Sequence, residues 1–293
     1  EAYGNLRNRP VCGINQKKKE ITIVIGDNMQ LKKINQLFQN FNRHDIRYSH
    51  WKSNEHLDAA VTGDTDLDIL FDKNQEQRVI EILKSNKFYL FEAVWYRKYK
   101  NIVDYIGFDK ETGKIVHLHS HFNLDIGEVG IKSYRLPWED LILENRVFDD
   151  HFNIYKSSPE TEYLLLVVRT AFKHDVIDSK SNHTIAKHFN MEAEGLYNQI
   201  DLEKLRLLSF TALGNEMTDL IEQIRLVGRH DETLFISLKK LLKPYFASHR
   251  ILSPQRVNYL KAVHFVKRIQ IKAGKLFRWP VRVSKRSLPH RGV

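Results

Sequence analysis

The sequence predicts an α+β fold, a mixed sheet with flanking helices followed by an all-helical domain. Three observations carry that prediction. Short β-branched and aromatic runs alternate with helical periods up to about residue 150. Beyond residue 157 the apolar patterns repeat at the helical spacing. No apolar run approaches the roughly 20 residues that cross a bilayer, and 293 residues suffice for one large domain or two ordinary ones.

Taken in order, residues 1–20 are polar with a Lys run and read as a flexible arm, followed by a short strand at 21–25, "ITIVI". Met29, Leu31, Ile34, Leu37, Phe38 and Phe41 recur at helical spacing, and "IRYSHW" (46–51) reads as a strand. A helix-like "SNEHLDAAV" leads into "VTGDTDLDILF" (61–71), which closes as an apolar strand. Residues 74–86 form a helix with Val79, Ile80, Ile82 and Leu83 inward. The runs 88–99 and 101–108 are aromatic and β-branched enough to be strands, 109–113 is a turn, and "KIVHLHSHFNL" returns as the second arm of a hairpin. The first domain therefore spans 21–156. Ser158 then serves as N-cap with Pro159 at the first helical position, and Glu160 and Glu162 favour the dipole of the first turn. Helices follow at 183–196, 201–212, 215–228, 231–243 and 254–276 within a helical domain of 157–278, and 279–293 is a basic linker.

Charge divides the chain differently. The net charge is +10, yet residues 235–293 hold 15 Lys and Arg and no acid, which leaves 31 basic and 36 acidic residues before them. The basic end with its interleaved aromatics suits nucleic acid, an anionic membrane surface or a partner domain. The single cysteine, Cys12, excludes an internal disulfide and a Cys-rich zinc site. With no signal-peptide pattern at the start, the expected location is cytoplasmic, with peripheral membrane contact through the basic end. A start without Met and an end on "HRGV" read as a fragment or a processed piece.

Chemistry concentrates in 61–71. On a strand, side chains two apart share a face, so Asp66 and Asp68 project together while Leu67 and Ile69 project into a core. Adjacent ionised carboxylates repel unless a cation lies between them. A divalent metal meets that need, and Mg²⁺ or Mn²⁺ with carboxylates and substrate phosphates suits phosphoryl or nucleotidyl transfer. The plainer reading is a solvated acidic edge. Gly63, Asp64 and Thr65 form a polar turn whose N–H groups and hydroxyl suit a triphosphate. Lys52, at a strand end, has the reach to meet a phosphate or simply to lie on the surface.

The segment "HWKSNEHLDAAVTGDTDLDILF" resembles the core of the nucleotidyltransferase superfamily, of polymerase-β-like fold. It is most similar to the branch found in polysaccharide gene clusters and often fused to a thymidylate-kinase-like domain, to which "KRSLPHRGV" looks like the linker. The resemblance is specific over about 46–72, moderate over 114–175 and absent from the last hundred residues. It implies transfer of an NMP group from an NTP, with Asp66 and Asp68 as metal ligands, to an unidentified hydroxyl of a sugar, polysaccharide or protein. It also implies surface polysaccharide biosynthesis and a C-terminal P-loop kinase-like partner domain.

Members of that superfamily supply a third acid from a neighbouring strand, within an Asp-Leu-His pattern. This chain has His117, Leu118 and His119 there. With His121 these histidines alternate onto one face, as a solvated strand, a chance zinc-binding trio, a softer-metal site or a source of the general base. Asp104, on the preceding strand, is a substitute for the lost charge, and Asp125 reads as a turn residue. Leu164, Leu165 and Val168 make a buried stripe on the first long helix, and Arg169, Lys173 and His174 lie within about a turn of one another. Arg169 suits bidentate phosphate contact, on a helix that the resemblance implies closes the nucleotide cleft, or else belongs with Lys173 to an ordinary solvated basic face. The alternatives to an enzyme are a catalytically degenerate nucleotide-binding or scaffolding module, and a nucleic-acid-binding protein acting through its basic tail.

Overall fold

A computed structural model describes residues 30–99, 101–128, 130–174 and 179–276; the expected arm, the strand at 21–25 and the linker at 279–293 lie outside them. Leu31, Ile34, Leu37, Phe38 and Phe41 form the buried face of the first helix and its cap, α1 (Lys32–Arg43). Next come β1 (Tyr48–His50), one 3₁₀ turn at Asn54–His56, α2 (Leu57–Val61) and β2 (Leu67–Phe71). Asp72 caps a second 3₁₀ turn ahead of α3 (Glu76–Ser85), its carboxylate accepting from the Asn74 N–H. The hairpin of β4 (Ile102–Phe108) and β5 (Ile115–His121) follows a short β3 (Tyr89–Phe91). A separate ribbon of β6 (Leu124–Ile126) and β7 (Tyr134–Leu136) precedes α4 (Glu139–Glu144), β8 (Arg146–Asp149) and β9 (Ile154–Ser157).

The main sheet has the order β3-β4-β5-β2-β1-β9-β8. β2 runs parallel to β5 and β1 parallel to β9, while the remaining neighbours are antiparallel. The fold is thus α+β with a mixed sheet and helices in its C-terminal part. Several elements differ from the sequence expectation, among them the β6–β7 ribbon and α4, which carry no clear period. Of the run 88–99 only Tyr89–Phe91 pairs, and this edge strand lies open, with Tyr89 69% exposed. The sheet continues past residue 150 through β8 and β9, four-residue strands too short to show a period of two.

Alternation along the strands makes two cores. Tyr48, Leu67, Ile69, Phe71, Val116 and Leu118 pack with α1 and α3 on one face. Trp51 and Leu70 belong to the other core, shared with α5 (Pro159–Lys173). The Ser158 hydroxyl accepts from the Thr161 N–H at the start of that helix, as the Ser-Pro pair predicts. Leu164, Leu165 and Val168 are buried, but so are most of their neighbours, because α5 is the central helix around which the others assemble. Each such leucine contributes about 1.5–3 kcal/mol by leaving water. α6 (Ser179–Leu196), α7 (Leu202–Leu213), α8 (Asn215–Val227), α9 (Glu232–Tyr245) and α10 (Pro254–Leu276) complete the chain close to the predicted bounds. Among the described residues no helix is long and apolar enough to cross a membrane.

Candidate active site

Strand register assembles the site. Asp68 on β2 lies beside His119 on β5, and His119 lies beside Asp104 on β4. The three side chains therefore form a row across three strands, on one face of the sheet. Two residues along, Asp66 just before β2 joins His117, and His121 extends the β5 series. The intervening Leu67, Ile69, Val116 and Leu118 fill the opposite core, so burial of one face fixes the chemistry of the other.

Asp66 Oδ1 is 2.7 Å from His117 Nδ1, and its Oδ2 is 3.9 Å from His119 Nε2. Asp68 Oδ1 receives Lys52 Nζ at 2.9 Å, His119 Nδ1 at 3.3 Å and His121 Nε2 at 3.2 Å. Asp104 Oδ1 lies 3.1 Å from His119 Nε2 and 3.3 Å from His117 Nε2. Two groups of donors, Asp66–His117–His119 and Asp68–His119–His121, are each close enough to hold one metal ion, and they share His119.

Burial opposes charge on every one of these groups, and its opponents decide the outcome. For Asp68, burial is outweighed by the Lys52 ammonium and by hydrogen bonds from His119 and His121, so its carboxyl stays well below the usual range. Asp104 is likewise held down, against burial, by its bonds to His117 and His119. Burial would lower His119, yet Asp104 and Asp68 raise it to about 10. Asp104 and Asp66 raise His117 in the same way. His121 is the exception: burial prevails over Asp68 and lowers it to about 4, and its Nδ1 has no hydrogen-bond partner. With no metal bound, His119 is therefore a charged donor at neutral pH and His121 a neutral imidazole.

Lys52 is set by a constrained loop. Ser53 adopts a left-handed conformation (φ 58°), and Asn54 is held by Glu162 of α5 through its N–H and its side-chain amide, both at 2.6 Å. A His50 contact at 2.5 Å holds the same amide side chain from β1. Lys52 Nζ lies 5.1 Å from the Trp51 ring, and the Arg169 guanidinium lies over that ring at 5.7 Å. Lys52 thus reaches the carboxylates through Asp68, and it shares the Trp51 ring with Arg169.

The Gly63–Thr65 turn has a different role. Its N–H groups are spent on α2: Gly63 donates to Ala60, and Asp64 and Thr65 both donate to Ala59. Asp64 pairs with Lys114 at 2.8 Å and accepts from the Thr62 hydroxyl at 3.0 Å. Gly63 has φ +76°, and a Cβ there would meet Leu31 at 2.8 Å, so the glycine serves a tight turn over the core. Asp125 is also not in a turn. It is buried in β6, where its carboxylate accepts from the Asn101 amide at 3.1 and 3.2 Å.

Three further groups join the site. Asp104 was legible by counting outward from the 109–113 turn, which sets it opposite His119. Lys132, on the connection between β6 and β7, is lowered to about 7 by burial and by the charges of Lys52, Arg169 and Lys173, a relation with no sequence signal. Lys173 lies one helical turn beyond Arg169. Comparisons with protein-family models, curated proteins and solved structures found no match to the chain.

Proposed function

We propose that the protein is a metal-dependent nucleotidyltransferase that moves an NMP group from an NTP to an acceptor hydroxyl of a sugar, polysaccharide or protein. The observation that carries this reading is the row Asp68–His119–Asp104, with Asp66 and His117 beside it and Lys52 and Arg169 at its edge. The donor set fits a divalent ion, since two of its carboxylates and three imidazoles converge within two overlapping groups. Because nitrogen donors share the site with oxygen, Mn²⁺ suits it better than Mg²⁺. When bound, the ion supplies charge neutralisation for the phosphates and an electrophilic pull at the α-phosphorus.

The chain's own residues do the rest. Asp66 and Asp68 are the carboxylate ligands, and His119, common to both donor groups, completes the shell after releasing its proton. Arg169 offers two parallel N–H bonds to a phosphate, and Lys52 adds a point charge beside it. His117, held by Asp66 and facing Asp104, takes the proton of the acceptor hydroxyl. The test is pyrophosphate release from an NTP with Mn²⁺. Asp66→Asn with Asp68→Asn is expected to abolish it while the circular dichroism stays that of the folded chain. Unchanged turnover in the double variant would remove the reading.

One observation favours a second reading, a nucleotide-binding or scaffolding module without turnover. Asp68, the central carboxylate, is already neutralised by Lys52 at 2.9 Å. NTP binding without pyrophosphate release under any divalent ion would select it.

A further inference from the structure

The last helix, α10, is fixed to the rest of the chain along one side. Val257 and Leu260 pack on Ile131, His264 Nε2 lies 3.1 Å from the Tyr96 carbonyl oxygen, and Lys261 pairs with Glu128. Just before the helix, the Ile251 N–H donates to the Ser133 carbonyl at 2.9 Å.

The opposite side is open. With 3.6 residues to a turn, Tyr259, Ala262, Phe265, Val266 and Ile269 fall within an arc of about 120°, roughly opposite Val257, Leu260 and His264. Phe265 is 64% exposed and Ile269 50%, with Tyr259 and Val266 open to a similar degree. A lone exposed apolar side chain is ordinary on a protein surface, but a continuous stripe along about three helical turns marks a contact surface.

The flanks of the stripe are cationic. Arg256 and Lys267 border it on one side and Arg268 on the other, and the Arg256 guanidinium lies 5.0 Å from the Tyr259 ring. The helix holds six Lys and Arg and no Asp or Glu. Among the described residues, Arg256, Lys267 and Arg268 make no ion pair.

Charge complementarity selects what covers this face. A second copy would bring like-charged flanks together with no acid between them. Nucleic acid would engage the cations, but Val266 and Ile269 offer it neither a hydrogen bond nor a stacking plane. An anionic bilayer surface takes both parts, the stripe at the acyl boundary and the cations among the headgroups, which long Lys and Arg stems reach past apolar surface.

We propose that α10 is a membrane-surface helix that lies in the interface of an anionic bilayer through Tyr259, Phe265, Val266 and Ile269. It lies on the bilayer rather than across it, since no described helix is long and apolar enough to span one. The inference is independent of the nucleotidyl-transfer reading, because none of these residues belongs to the Asp/His cluster.

The experiment is co-sedimentation of the full chain with vesicles of phosphatidylcholine and phosphatidylglycerol at low ionic strength, with pure phosphatidylcholine vesicles in parallel. Binding is expected on the anionic vesicles and about tenfold or more weaker on the neutral ones, where the cations lose their partners. Phe265→Asn with Ile269→Asn should weaken it about tenfold or more, the range of two lost apolar burials, with an unchanged circular dichroism spectrum because both positions are exposed. Lys267→Gln with Arg268→Gln should weaken binding to the anionic vesicles by a similar factor. Leu226→Asn, which removes an exposed leucine of α8, leaves binding unchanged. No anionic-vesicle binding by the wild type, or wild-type binding by either double variant, overturns the proposal. So does retention of polyuridylate in place of vesicles, which would make α10 a nucleic-acid surface. A dimer that forms instead of vesicle binding, and that Phe265→Asn with Ile269→Asn dissolves in light scattering, overturns it as well, by making the stripe a contact between copies.

Discussion

On the sheet face, Asp66, Asp68 and Asp104 each lie within 3.3 Å of an imidazole or an ammonium. At Trp51 and along α5, by contrast, Arg169 and Lys173 make no ion pair, and burial together with neighbouring cations lowers Lys173 to about 7. In the first region the charges are paired because a β-sheet register can set acid beside histidine at every second residue. The second draws on a strand end and a helix, and its charges are left over. The paired half holds its geometry without ligand, whereas the unpaired half gains stability from any anion that binds it.

The largest effect expected is on the sheet side. Replacing both Asp66 and Asp68 by Asn should lower metal-dependent turnover at least about a hundredfold, since the ion and its charge neutralisation are lost together. His119 belongs to both donor groups, so His119→Ala should weaken Mn²⁺ binding about 10–100-fold in a calorimetric titration, the range of a disturbed metal shell. An unchanged affinity would mean that the ion bypasses the imidazoles. Next is the strut between the regions. Glu162 is 4% exposed and holds both polar groups of Asn54, and burial raises its carboxyl to about 7. Glu162→Ala should cost about 1–3 kcal/mol by leaving buried partners unsatisfied, measured by urea unfolding. Glu162→Gln, whose one carbonyl oxygen can accept only on one side, should restore one of the two bonds and recover only part of that loss.

A smaller effect separates the two regions by pH. Lys132 and Lys173 are lowered to about 7 in the folded chain from an ordinary value of 10.5. Their penalty on folding is complete below pH 7 and disappears as the pH rises towards 10.5, where both states are neutral. His119 runs the other way. Raised to about 10 from 6.5, it contributes stability that is full below 6.5 and lost as the pH climbs through 10. The double variant Lys132→Met, Lys173→Met should therefore melt above the wild type at pH 6, with the gap closing by pH 10. A gap independent of pH would place the two lysines outside this account. The smallest effect belongs to Asp64, paired on the surface with Lys114. Asp64→Asn should alter stability by no more than about 0.5 kcal/mol, measured by urea unfolding.

Much of the architecture was legible in advance, for physical reasons that differ by element. Helices α5 and α7 to α10 carry periods of 12 residues or more, with Ser, Asp or Gly at their starts, and their bounds followed from spacing and caps. Strands β8 and β9 carry no signal because each has four residues, and β9 joins the sheet through β1, about a hundred residues earlier. The Asp66–Asp68 pair and the histidine triplet are visible because period two reports a shared face. Which neighbouring strand meets that face is a matter of sheet order: Asp104 reaches His117 and His119 from β4, though it belongs to neither group of metal donors. Lys132 was invisible altogether, since nothing in "EVGIKSYR" records that Ile131 and Ser133 are pinned from two sides.

The central claim, that carboxylates and imidazoles of this sheet form one metal centre, is met most directly by crystals grown with Mn²⁺ and examined by anomalous diffraction. The account predicts a peak bonded to His119 and to at least one of Asp66 and Asp68, with the Lys52 ammonium displaced from Asp68. A crystal that holds Mn²⁺ only elsewhere, with Lys52 still seated on Asp68, would contradict it.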